Sequence, residues 1–108
     1  MKHECCVVFN TCPDTGSAEK IARELIERKL AACVNIFPGL RSLYMWKGVC
    51  ESAEEQLLII KTTMVTYPAL EQAILELHPY ELPEIIAVPL VAGLSGYLAW
   101  IKQTTAPI

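Results

Sequence analysis

Residues 31–63 read AACVNIFPGLRSLYMWKGVCESAEEQLLIIKTT, and this stretch decides the fold. AACVNIF is rich in β-favouring residues and breaks at Pro38-Gly39. LRSLYMW continues in extended form, with Leu43 and Met45 on one face and Tyr44 and Trp46 on the other. Lys47-Gly48 supplies a turn and QLLIIKTT the returning strand, so the whole is a long β-hairpin. Its far portion carries Tyr44 and Trp46, large aromatics of the kind favoured in protein interfaces.

On the N-terminal side, residues 4–11, ECCVVFNT, read as a first strand. Pro13-Asp14-Thr15-Gly16-Ser17 stops it and offers oxygens for a helix N-cap. Ala18, Ile21, Ala22, Leu25, Ile26 and Leu30 then recur at helical spacing, predicting an amphipathic helix over 15–30. On the C-terminal side a second helix starts at Thr66, with Thr66 as cap, Pro68 in the first turn and Val65 stapled onto Leu70. Leu70, Ala73, Ile74 and Leu77 form its stripe, and Pro79 ends it because the residue before proline avoids the helical region. EIIAVPLV is a fourth strand, apolar enough to predict an interior position, with a bend or bulge at Pro89. Gly93-Leu94-Ser95-Gly96 is a loop and YLAWIKQT a short terminal helix. The order β-α-β-β-α-β-α predicts one α+β domain over 1–108. It is ferredoxin-like, βαββαβ with an additional C-terminal helix, an antiparallel sheet with helices on one face.

Composition narrows the class. Of 108 residues 53% are hydrophobic and 19% charged, and the mean hydropathy is +0.34. A domain this short cannot bury all of that within one chain, which predicts a soluble oligomer. No run of about 18 uncharged apolar residues exists, so no membrane span is expected. A net charge of −3 and the absence of a basic cluster exclude nucleic acid as a main partner. MKHECCVV lacks the apolar stretch of a signal peptide, and five cysteines without a C-x-x-C predict reduced thiols in a cytoplasm.

HPYELPE, residues 78–84, is the densest polar cluster. His78 reads either as a metal ligand, with Glu81 and Glu84 nearby, or as a histidine tying a loop together by hydrogen bonds. Cys12, close to a helix N-terminus, is a soft-ligand candidate with a thiol pKa lowered by the helix dipole. Lys61, at the end of LLIIK, either pairs with Glu81 or Glu84 or meets an anion. No nucleophile elbow, paired-cysteine motif or dinucleotide fingerprint is present, and no enzyme is expected.

LAACVNIFPGLRSLYMWKG, LLIIKTT, HPYELPEI and YLAWI together, in order and in register, resemble the CutA family, the divalent-cation tolerance proteins. The resemblance runs from Thr11-Cys12-Pro13 to Trp100. It implies a compact homotrimer, similar in build to the PII signalling proteins, in which the long hairpins of neighbouring subunits pair around the three-fold axis. Tyr44 and Trp46 would then sit at subunit boundaries, and Tyr97 and Trp100 of the terminal helix are further interface candidates. The family is associated with tolerance to copper and other divalent ions, and no catalytic activity is established for it. Its copper assignment uses a cysteine ending strand one and a His-His pair; here those positions are Asn10, Leu77 and His78, with Cys12 two residues beyond the first. The 78–84 loop would line an inter-subunit cleft, where Tyr80 and Glu81 contact a neighbour and Lys61 balances the carboxylates of Glu81 and Glu84. The function expected is a non-enzymatic trimer in the response to metal ions, with Cu(II) or another divalent cation as an optional ligand rather than a required cofactor. A PII-like module taking a small anion near Lys61, and a scaffold displaying the terminal helix to a partner, are the alternatives.

Overall fold

The computed structural model describes residues 3–105; residues 1–2 and 106–108, the two ends of the expected domain, lie outside the described residues. Its elements are β1 (Cys5–Cys12), α1 (Thr15–Glu27), β2 (Cys33–Trp46), β3 (Val49–Thr63), α2 (Tyr67–Leu77), β4 (Ile85–Pro89) and α3 (Ser95–Thr104). The strands form one sheet in the order β2-β3-β1-β4, with every pairing antiparallel. This is the ferredoxin-like α+β arrangement expected from the order of elements. One strand is placed differently: β4 pairs only with β1 and is an edge strand, not an interior one.

Local chemistry sets the ends of the helices. Asp14 Oδ1 accepts the Ser17 N–H at 2.7 Å and the Ser17 hydroxyl at 2.9 Å, which satisfies a donor left orphaned at the start of α1. Those bonds, the backbone one first, hold the Asp14 carboxyl below its usual range. The helix stops at Glu27 rather than at residue 30, because Lys29 takes φ 59° and the Leu30 N–H turns back to the Leu25 carbonyl at 2.9 Å. At the start of α2 the Thr66 hydroxyl pairs with that of Thr63 at 2.7 Å instead of capping the helix. Val65 points to solvent, so the expected staple onto Leu70 is not made.

The two faces of the sheet are covered unequally. Cys6, Val8 and Cys12 of β1 and Leu58 and Ile60 of β3 pack against Ile21, Leu25, Leu70 and Ile74 of α1 and α2, all fully buried. Alternation sends Cys5, Val7, Phe9 and Thr11 to the other face. There α3 seals one end, joining Cys5 to Ala32, Leu90, Leu98 and Ile101. Beyond it the face is open, with Phe37 63% and Ile86 53% exposed.

A bulge in β2 governs the hairpin. Between the pairs Phe37↔Leu57 and Leu40↔Glu55 the chain takes three steps along β2 against two along β3, so one residue is extra. Gly39 lies inside this break with φ 80°. Before the bulge Cys33, Asn35 and Phe37 share the open face with Lys61, Ile59 and Leu57. After it the even-numbered residues do so: Tyr44 stands opposite Glu51 and Trp46 opposite Val49, in step with Glu55. Lys47 (φ 52°) and Gly48 (φ 80°) close the hairpin in the doubly left-handed turn that matches strand twist.

Candidate functional site

At the end of the open face furthest from α3, a cleft of about 780 Å³ lies between the hairpin and the 78–84 loop. Its walls bring together Tyr44 and Trp46 from β2, Glu55 from β3, and Tyr80, Glu81 and Glu84 from the loop. Pro79 forces the helix to end at His78, which takes an extended ψ of 138°, and the loop then crosses the end of the sheet.

Three sets of hydrogen bonds hold the loop there. His78 Nε2 lies 2.7 Å from the Thr11 carbonyl; an oxygen of that kind only accepts, so Nε2 carries the proton. His78 Nδ1 then accepts the Tyr80 N–H at 3.0 Å. Asn10, fully buried, donates from Nδ2 to the Glu84 carbonyl at 2.8 Å. The Tyr80 hydroxyl donates to Glu55 Oε2 at 2.8 Å. Burial, and next this bond to a carboxylate, raise the Tyr80 phenol above its usual range. Glu55 is only 7% exposed, a charged group taken almost wholly out of water.

The residues that sequence marked for metal do not form a copper centre. Both ring nitrogens of His78 are engaged within the chain, so a metal would have to displace one of these bonds. Cys12 is fully buried, its thiol donates to Asn10 Oδ1 at 3.6 Å, and burial, then Asp14 and Glu55, push it up to about 12. That is opposite in direction to the thiolate expected from the helix dipole: the side chain enters the core rather than facing the α1 N-terminus. Among the described residues no group of three His, Cys, Asp or Glu side chains converges. The residues present therefore do not fit a tight Cu(II) site.

Tyr44, Trp46, Tyr80, Glu81 and Glu84 all line this one cleft. Lys61 does not join them within the chain. It stands opposite Val7 and Cys33, well along β3 from Glu55, with its ammonium on Asn35 Oδ1 and 3.9 Å from Cys33 Sγ. The expected pairing with Glu81 or Glu84 is not formed. Tyr97 and Trp100 stack on each other along α3 at 5.4 Å, each about two-fifths exposed, away from the cleft lining. Sequence reasoning missed Glu55 as a site residue. Stepping back by two from Lys61 along β3 puts it on the open face, but nothing local marks it as the buried carboxylate.

Fold and cleft together define the class: a ferredoxin-like domain with a long projecting hairpin and a loop-sealed cleft at its base. Residues 6–104 match the family described as CutA1 divalent ion tolerance protein. The chain is 46% identical over 99 residues to the divalent-cation tolerance protein CutA of Thermus thermophilus, covering 92% of this chain and 96% of that one. It is 44% identical over 100 residues to human protein CutA, covering 93% of this chain and 56% of the longer human protein. The crystal structure of CutA1 from Shewanella sp. SIB1 superposes with a TM-score of 0.95 at 42% identity, covering 99% of this chain and 100% of that one. The chain belongs to the CutA1 divalent ion tolerance family. That family is defined by ion tolerance and not by a reaction.

Proposed function

We propose that the chain acts as a non-enzymatic homotrimer in the response to divalent metal ions, with the cleft beside the 78–84 loop as its ligand site at subunit boundaries. The observation that carries this is the open sheet face. Val7, Phe9, Ile59, Ile86 and Val88 lie on a surface that α1 and α2 leave uncovered and α3 covers only at one end. Continuous apolar area of that kind is normally covered by another chain. Three copies, rather than two, follow from the family resemblance. Metal contact in this reading falls to the exposed carboxylates of Glu81 and Glu84 at the rim, while His78 holds the loop. All five cysteines are unpaired, which supports a reducing, cytoplasmic setting. No helix is long and apolar enough to cross a membrane.

Light scattering tests the assembly: three times 12.0 kDa is expected, and a monomer or dimer mass overturns it. Native mass spectrometry of metal-stripped protein with Cu(II) tests the ion. Weak retention should survive His78→Ala and fall in the Glu81→Gln, Glu84→Gln double variant; retention lost with His78→Ala alone would return the imidazole to the metal. A small-anion site finds less support, since the cleft within one chain is lined by carboxylates and by no lysine or arginine.

A further inference from the structure

The lining of the cleft specifies more than its position. Glu55 is the most deeply buried of its carboxylates, its one hydrogen bond comes from the neutral Tyr80 hydroxyl, and it forms no ion pair among the described residues. A buried charge without a counter-charge is costly, and attraction to an incoming cation offsets that cost. The Tyr80 ring stands directly against it, Tyr44 and then Trp46 continue the same wall along β2, and Glu81 and Glu84 complete the lining. Trp46 already attracts one ammonium, that of the adjacent Lys47, 5.9 Å from its ring centroid.

We propose that this cleft binds an organic cation, a substituted ammonium or guanidinium group, with its charge against Glu55 and its alkyl carbons on the rings of Tyr80 and Tyr44. The inference deepens the cleft reading above and rests on it. Aromatic faces attract a diffuse organic cation, whereas among the described residues no three His, Cys, Asp or Glu side chains converge as a hard divalent ion would need for tight binding. An anion would meet the carboxylates of Glu55, Glu81 and Glu84, with no lysine or arginine in the lining. A volume of about 780 Å³ suits a small molecule rather than a bare ion.

The test is calorimetric titration of the full chain with choline, in buffer containing a chelator, beside its neutral analogue in which carbon replaces the quaternary nitrogen. Choline should bind saturably, and the neutral analogue should bind at least about tenfold more weakly, the difference being the charge. Glu55→Gln keeps an acceptor for the Tyr80 hydroxyl while removing the charge, and should weaken choline about tenfold or more. Tyr44→Leu, at a half-exposed position where folding is not at stake, should weaken it several-fold. The proposal is overturned by absence of choline binding at millimolar concentration, by equal binding of the neutral analogue, or by affinity unchanged in both folded variants. Light scattering on the same samples separates the two readings. Choline binding by a chain that is not a trimer upholds this site and sinks the assembly; a trimer that ignores choline does the reverse.

Discussion

On the helix side of the sheet, Leu58 and Ile60 are sealed beneath α1 and α2; on the other side their chain neighbours Leu57, Ile59 and Lys61 are only partly covered. The same strand thus serves two environments, one residue at a time. The helix side holds the main core. The open side holds the cleft, the half-buried lysine and the apolar surface, to which the proposed assembly and ligand are assigned. If that proposal holds, stability and function are separable by the parity of residue number along β3.

The strongest way to break that separation is a paired test on adjacent residues. Leu58→Ala should cost about 2–5 kcal/mol in denaturant unfolding, because it opens a cavity in the sealed core. Ile59→Asp should leave the helical signal intact and instead reduce the scattering mass to 12.0 kDa. If both variants unfold alike, the two faces are not independent.

The smallest effects are in the thiols. Burial pushes Cys12 from the usual 9.0 up to about 12 and Cys6 up to about 11. Both fold with their protons on, so from about pH 9 to about 11 the unfolded chain releases protons that the native state keeps. Stability should therefore fall as pH rises through that window and be flat below it. Alkylation at pH 8 should mark exposed Cys50 quickly and reach Cys6 and Cys12 only on unfolding, read by mass spectrometry. Rapid native labelling of Cys12 would place it outside the core.

Much of this architecture was legible because its signals are local. The Lys47-Gly48 turn, the Asp14 region and Pro79 act within a few residues, and they delimit the hairpin, α1 and α2. What was not legible depends on register. EIIAVPLV looks interior because both its faces are apolar, and sequence cannot say whether the second face is covered by the same chain; β4 lies at an edge with that face exposed. Glu51, Glu54 and Glu55 are equivalent carboxylates until the 78–84 loop brings Tyr80 over one of them. Lys61 read as a partner for Glu81 and Glu84 for the same reason. It is close in any folded chain of this size, but the strand points it at Asn35. His78 was the ambiguous case, and its two hydrogen bonds fall on the side of the tied loop.

The bulge also limits who can add to the sheet. β2 is an edge strand of 14 residues, long enough to template an uninvited strand from an unfolded neighbour. Pro38 removes one backbone donor from that row, and the extra residue puts the segments on either side out of step. A regular strand can therefore zip onto Cys33–Phe37 or onto Leu40–Trp46, but not across both. Only a partner that is short, or that carries a matching irregularity, can use the whole edge. In a chain that leaves so much apolar surface open, that restriction is a safeguard against aggregation.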